Sequence, residues 1–255
     1  MCWDMTKHTI SIVTASYHSA ATIGFTLRSV ADQERVAVQH VVQDGQSNDG
    51  TCDIVAKYNQ VTFISEADSG IYDGLNKGIA NCTGNIIGLL HADDFYPSDT
   101  ILRKVADRFE ANPELMGVYG DLKYVTQEDT EKVVRDWKAG EFSRAKFHFG
   151  WMPPHPTIFL RREAYEQLAG FNTTYEISAD YDFILRLFQT FGSRIEYLPE
   201  TLVHMRGGGL SNSGFGNLLK KSKEDFWIAL RMGYFAPVTL VCKMLSKLSQ
   251  FRNVF

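Results

Sequence analysis

Residues 86–94 read IIGLLHADD, an uninterrupted apolar run from Ile86 to Leu90 followed by His91-Ala92-Asp93-Asp94. A run this short and this uniformly apolar is expected to be a strand buried on both faces, as in the middle of a parallel sheet. Two adjacent carboxylates directly after it repel one another unless a cation or hydrogen-bond donors compensate. A divalent metal is the economical compensation, because Mg2+ and Mn2+ take oxygen ligands and bind through one or two carboxylates together with phosphate oxygens. A solvated turn leading into a helix accounts for the same two residues, so the pair alone leaves both readings open.

The pattern repeats on either side. Upstream, Thr9 to Ser16 (TISIVTAS), Val38 to Gln43 (VQHVVQ) and Val61 to Ser65 (VTFIS) are β-rich runs. They alternate with segments that place Ile23, Leu27 and Val30, then Ile54, Val55 and Tyr58, then Ile71, Leu75 and Ile79 at helical spacing. Downstream, Pro97-Ser98 opens a helix with Ile101, Leu102, Val105 and Phe109 inside and Ser98 as its N-cap. Strands alternating with helices predict an α/β fold with a mostly parallel central sheet flanked by helices. The second half is less regular, with strands expected at Gly117 to Val125, Val133 to Trp137 and Arg194 to Leu198, and a helix opening at Asp180 with Phe183, Leu187 and Phe191 on one side. Pro153, Pro154 and Pro156 prevent Phe142 to Pro156 from being a regular helix throughout, which makes it a candidate binding loop. From Asn217 the chain reads as helical again, with Pro237 separating two segments. We therefore expect one catalytic domain over residues 1–216 and a C-terminal helical extension over 217–255.

Composition excludes several classes. The 26 basic and 30 acidic residues give a net charge of −4 with no long basic run, which argues against nucleic acid as a partner. Cys2, Cys52, Cys82 and Cys242 form no CxxC pair, so neither a zinc knuckle nor a disulfide framework is indicated and a reducing cytoplasm is the expected location. No stretch reaches the roughly 18 apolar residues of a membrane span. Residues 235–255 intersperse Val238, Leu240, Val241, Met244, Leu245, Leu248 and Phe251 with Lys243, Lys247 and Arg252. Such a segment suits peripheral contact with the inner face of the cell membrane, and equally a helix packed on the catalytic domain or on another subunit of a homo-oligomer.

In open parallel sheets ligands bind outside the carboxyl ends of the strands. Each early strand ends there in polar residues: Thr14-Ala15-Ser16-Tyr17, Asp44-Gly45-Gln46-Ser47, Glu66 with Asp68, and Asp93-Asp94. One acid at a strand end is as readily a cap or turn residue; convergence of four such groups on one edge favours a site.

These residues carry a resemblance. The ordered set ISIVTASY, DGQSNDGT, SEADSGIYDGLNKGI, GLLHADDF, PHPTIFLRREAYEQLAGFN and SADYDFILRL, covering residues 9–210, resembles the family 2 glycosyltransferases of bacterial polysaccharide assembly, including the colanic acid type enzymes. The resemblance implies a GT-A fold, with nucleotide-sugar binding mainly in residues 9–97 and the acceptor part mainly in 98–216. It implies inverting transfer from a nucleotide diphosphate sugar, most often UDP-linked, to a saccharide or lipid-linked saccharide acceptor. Carried over by position, Thr14, Ala15, Ser16 and Tyr17 would border the nucleoside and Asp44 would accept a hydrogen bond from the base. Asn76 and Lys77 would lie near the donor, Asp93 would contact ribose or metal, and Asp94 would be the principal ligand of Mn2+ or Mg2+. Asp180 matches the acid of the family's Glu-Asp motif and would be the general base; Ala179 stands where the motif has glutamate. Inversion needs such a carboxylate on the face opposite the departing diphosphate. Asp182 is the runner-up, but two helical residues turn about 200°, so Asp180 and Asp182 cannot share one pocket. His155 and Trp151 would lie on the acceptor side. His204 is a further metal or phosphate candidate, and the glycines of Gly207-Gly208-Gly209-Leu210-Ser211 would let backbone N–H groups approach a diphosphate.

Two other classes compete. A sugar nucleotidyltransferase would be expected to carry a glycine-rich basic loop after its first strand, where this chain has Ala15-Ser16-Tyr17-His18-Ser19. A non-catalytic nucleotide or saccharide binding module would be suggested by loss of Asp94 or Asp180, and both are present.

Overall fold

Four strands, β1 (Thr9–Ser16), β2 (Ala37–Asp44), β3 (Val61–Ser65) and β4 (Ile86–Leu89), pair in parallel in the order β3-β2-β1-β4. The computed structural model describes residues 8–207 and 215–250. Ile10, Ile12, Val13, Ile86 and Ile87 are fully buried, as strands covered on both faces require. The crossovers are α1 (Ile23–Ala31), α2 (Thr51–Val55) and α3 (Ile71–Ala80). α1 buries Ile23, Leu27 and Val30, the expected stripe. After β4, α4 (Ile101–Ala111) buries Ile101, Leu102, Val105 and Phe109. This helix starts later than expected: Thr100 holds the N-cap position, and the Ser98 hydroxyl pairs with the Thr100 hydroxyl at 3.2 Å instead.

The sheet continues through β5 (Gly117–Val125), β6 (Val133–Trp137), β7 (Phe159–Arg161) and β8 (Ile195–Arg206). Its order is β3-β2-β1-β4-β7-β5-β6, with β8 parallel along β5. The expected mostly parallel sheet holds for the first half, whereas β7 runs antiparallel to both β4 and β5 and joins the two halves. Its three residues are too few to show a period of two, which is why the sequence pattern does not reveal it. β8 extends well past Leu198, through Pro199 to Arg206. A register shift against β5 between Tyr119 and Asp121 accommodates that course.

The Phe142 to Pro156 loop contains one α-helical turn, α5 (Arg144–Phe147), runs into a 3-10 turn at His155–Thr157, and is followed by α6 (Arg162–Leu168) and α7 (Ala179–Phe191). α8 (Phe215–Arg231) and α9 (Ala236–Ser249) pack together at the C-terminus. Among the described residues no helix is long and apolar enough to cross a membrane.

Gly120 of β5 lies against Leu202 and Glu200 of β8. A Cβ there would lie 2.5 Å from Leu202 Cγ and 2.8 Å from the Glu200 carbonyl oxygen, and the Thr157 hydroxyl already donates to the Gly120 carbonyl at 2.9 Å. Gly120→Ala is expected to lower the unfolding free energy by ~1–3 kcal/mol, the usual cost of overpacking. Urea denaturation should show a lower midpoint at unchanged slope; an unchanged midpoint would contradict the close β5–β8 approach.

Candidate active site

Register places Ser16, Asp44 and Ser65 in one row across β1, β2 and β3. Asp44 is fully buried, and its carboxylate accepts hydrogen bonds from the hydroxyls of Ser16 (2.9 Å), Ser47 (2.6 Å) and Ser65 (2.8 Å) and from the Ser47 N–H (2.8 Å). Burial works to raise its pKa, but these donors together hold it below the ordinary value. Asp44 thus ties three strand ends together, with both oxygens committed within the chain. Thr14 corrects a sequence expectation: it is fully buried and its hydroxyl meets His40 Nε2 at 3.0 Å, so it lies beneath the edge instead of bordering it. Tyr17 lies at the edge, 63% exposed and stacked on His18 with ring centres 4.0 Å apart. Ala15 faces Gly74 of α3.

Asp68, one of the polar residues that follow the third strand in sequence, completes this edge. Its Oδ1 accepts the Gly70 N–H at 3.0 Å, and its Oδ2 would lie 2.8 Å from a Cβ on Gly45, so the glycine leaves room for the carboxylate. Asn76 is committed elsewhere: its amide donates to the Phe171 carbonyl and accepts the Phe171 N–H, each at 2.9 Å, which holds the turn before α7. Lys77 donates to the Ala67 carbonyl at 2.6 Å and pairs with Asp73 at 3.4 Å.

The turn after β4 is clamped on two sides. The Thr26 hydroxyl of α1 donates to the Asp94 carbonyl at 2.7 Å. From β8, His204 and Phe95 exchange backbone hydrogen bonds of 2.9 and 3.0 Å, and the Arg206 guanidinium donates to the Asp93 carbonyl at 3.0 Å. Inside this clamp the Asp94 side chain is fully buried, and among the described residues neither of its oxygens has a hydrogen-bond partner. Burial, reinforced by the neighbouring Asp93 carboxylate, pushes its pKa well above the ordinary range; burial likewise raises Asp93, with Arg206 opposing. A buried carboxylate without donors is satisfied only by a proton or a cation, which is the environment a divalent metal fits. Among the described residues no group of three His, Cys, Asp or Glu side chains is placed to hold a metal ion, so a divalent cation would take Asp94 with Asp93 from this chain and its other oxygens from phosphate and water. His204 is not brought into that pair: its ring packs edge-on against Phe95, 5.4 Å between centres. Gly208 to Ser211, the glycine segment suspected of approaching a diphosphate, lies outside the described residues.

His91, from the same turn, leads to the second carboxylate. Its Nε2 lies 2.6 Å from His155 Nε2, and His155 Nδ1 lies 3.4 Å from Asp180 Oδ2. The Tyr72 hydroxyl lies 3.3 Å from Asp180 Oδ1 while donating to the Ile177 carbonyl at 2.7 Å. Burial works to raise the Asp180 pKa, but the hydrogen bond and charge of His155, with Lys221 and Lys243 further away, hold it well below the ordinary value. Burial drives His91 the other way for a cation, down to about 3, so it stays neutral. His155 therefore contacts the Asp180 carboxylate from between its two prolines. His91 and Tyr72 carry no sequence signal for this role, because their partners are 64 and 108 residues away. Trp151 is packed among Tyr119, Phe142, Phe147 and Phe188 and donates its indole N–H to the Ala139 carbonyl at 2.7 Å. As helical geometry demands, Asp182 faces elsewhere, fully buried and ion-paired with Arg186 at 2.8 Å and with Arg231. Ala179 is also fully buried, inside the core.

Comparison with known proteins places this geometry in a family. A family model described as glycosyl transferase family 2 matches residues 11–169. A curated PGL/p-HBAD biosynthesis glycosyltransferase of Mycobacterium bovis is 30% identical over 214 residues, covering 80% of this chain and 79% of that protein. Among solved structures, Staphylococcus aureus TarS 1–349 in complex with UDP-GlcNAc aligns with a TM-score of 0.65 at 17% identity, over 87% of this chain and 66% of that one. A longer TarS chain is spanned only to 39%. The mannosyltransferase PcManGT of Pyrobaculum calidifontis, in complex with GDP-Man and Mn2+, aligns with a TM-score of 0.65 at 20% identity, over 94% of this chain and 71% of that one. At these identities the structural matches establish the GT-A-like fold alone.

The Asp180 environment yields a titration prediction. In His155→Ala the Asp180 carboxyl should titrate at higher pH than in the wild type, followed by carbon-13 NMR of labelled aspartate. A carboxyl lowered on folding stabilises the protein above its unfolded value of about 3.9, and that contribution is lost as pH falls through the folded value. The variant should therefore also lose stability at neutral pH and show less dependence on acid; an unchanged titration would contradict the role given to His155.

Proposed function

The chain belongs to glycosyl transferase family 2, and from that premise we propose that it transfers a sugar from a nucleoside diphosphate donor, UDP-linked, to a hydroxyl of a saccharide or lipid-linked saccharide, with inversion at the anomeric carbon. The observation that carries this reading is the opposite tuning of two carboxylates joined through one turn: Asp94 is buried without a hydrogen-bond partner among the described residues and is raised, whereas Asp180 is hydrogen-bonded and lowered. Environments that push like groups apart mark different roles. Asp94, with Asp93, would hold Mn2+ or Mg2+, which when bound supplies Lewis-acid neutralisation of the charge on the departing diphosphate. The exposed Tyr17 ring would offer the base a stacking surface, and Asp44 and Asp68 would shape the nucleoside end from below and beside it.

Asp180 is the general base. It is ionised at any physiological pH, held in orientation by His155 and Tyr72. The acceptor hydroxyl becomes acidic as its oxygen bonds to the anomeric carbon, and the proton then passes to the carboxylate. The resemblance of the ordered motifs to enzymes of bacterial polysaccharide assembly supports a role in cell-surface polysaccharide synthesis at the cytoplasmic face of the membrane.

Asp180→Asn tests the central assignment. It should retain donor affinity and lose several powers of ten in turnover, roughly the 10²–10⁴ of a positioned general base or more. Turnover equal to wild type would remove Asp180 from the mechanism. Proton NMR of the first product formed by the wild type should show the anomeric configuration opposite to that of the donor.

A further inference from the structure

α9 is built inside out. Its inner face carries Thr239, which donates to the His148 carbonyl at 3.0 Å, and Lys243, which pairs with Asp225 of α8 at 2.8 Å and lies 3.5 Å from the centre of the Tyr181 ring. Its outer face carries Val238, Val241 (56% exposed), Met244 (64%) and Leu245 (58%), preceded by Phe235 (69%). A surface helix of a soluble protein ordinarily shows the reverse arrangement. α8 adds exposed Leu219, Trp227 and Leu230, so the helix pair presents an apolar surface of the kind that marks a contact site.

Charge identifies what covers it. Residues 215–255 hold seven of the 26 basic residues but two of the 30 acidic ones, leaving 19 basic and 28 acidic residues in the rest of the chain. The two acids, Glu224 and Asp225, are turned inward: Glu224 accepts the N–H groups of Glu176, Ile177 and Ser178, and Asp225 accepts from Lys243. The exposed charged residues described on α8 and α9 are Lys220, Lys223 and Arg231, of which Lys220 and Arg231 also reach Glu176 and Asp182. In a two-fold dimer built on this helix pair, its basic residues would be brought towards their own copies, with no exposed acid among the described residues of α8 and α9 to pair with them. An anionic bilayer complements both its features, and it repels the acidic body while attracting this one face, which sets the orientation.

We propose that α8 and α9 together form a docking surface for an anionic lipid bilayer, which holds the base-bearing helix α7 at the membrane. The inference deepens the acceptor half of the reading above. Glu224 caps the backbone just ahead of α7, and Lys243 lies on Tyr181, next to Asp180, so the docking helices contact α7 directly beside the base. An acceptor hydroxyl carried on a lipid would meet Asp180 from the bilayer side.

The test is flotation of the full chain with phosphatidylcholine vesicles and with vesicles of phosphatidylcholine and phosphatidylglycerol. Binding should require the anionic lipid and weaken with salt. It should fall about ten-fold in Lys223→Glu and be lost in Val241→Asp/Met244→Asp, whose circular dichroism, melting temperature and nucleotide binding should match wild type because both positions are exposed. Absence of wild-type binding at low salt, or binding that survives the double substitution, overturns the proposal. So does sedimentation that shows a dimer dissolved by the same double substitution, because the face would then be a subunit interface. None of these outcomes depends on turnover, so failure here is distinguishable from failure of the transferase reading.

Discussion

The four residues from His91 to Asp94 must satisfy two neighbours at once. Thr26 of α1 on one side and His204 and Arg206 of β8 on the other hold the turn through its backbone, which leaves its side chains free for other partners. Each clamping hydrogen bond contributes only about 1 kcal/mol net, whereas a buried carboxylate without donors costs several. The clamp therefore does not offset Asp94 by itself; a proton or a cation must. What the clamp does is prevent the acid from relaxing into solvent, and the same rigidity carries His91 to His155 and so to Asp180.

Four aspartates illustrate how environment divides one chemistry among several tasks. Asp44 is saturated with donors and joins three strand ends. Asp182 is consumed by two arginines and braces α7 against α8. Asp94 has no hydrogen-bond partner among the described residues, and Asp180 is kept ionised chiefly by His155. Only the last two have unmet electrostatic needs or available lone pairs, and only these two are suited to a cation and to a proton. The C-terminal helices belong to the same arrangement, because Glu224 of α8 accepts backbone N–H groups just ahead of α7 and Lys243 of α9 lies on the Tyr181 ring.

The first half of the sheet was legible because its strands are apolar runs of four to eight residues separated by helical stripes, and Ile23, Leu27 and Val30 fall where the period puts them. β7 was not, since three residues between prolines and a helix show no period. At the site, the acids that punctuate strand ends could be read directly, and helical geometry alone separated Asp180 from Asp182. Depth could not be read: Thr14 and Tyr17 are three residues apart, yet one is fully buried and the other is largely exposed. Partnership across long separations was equally hidden, so His155 was legible as a stiffened loop residue but not as the neighbour of Asp180, and Asn76 gave no hint of its bond to Phe171.

The most direct test of a metal-assisted nucleotide-sugar site is calorimetric titration of UDP, GDP and dTDP into the wild-type protein with Mn2+, with EDTA, and into Asp94→Ala. We expect UDP to bind with Mn2+, and the binding to vanish on chelation and in the variant. Binding of none of the three nucleotides under any condition, or binding that Asp94→Ala leaves intact, would contradict the assignment of the strand-end acids to a donor site.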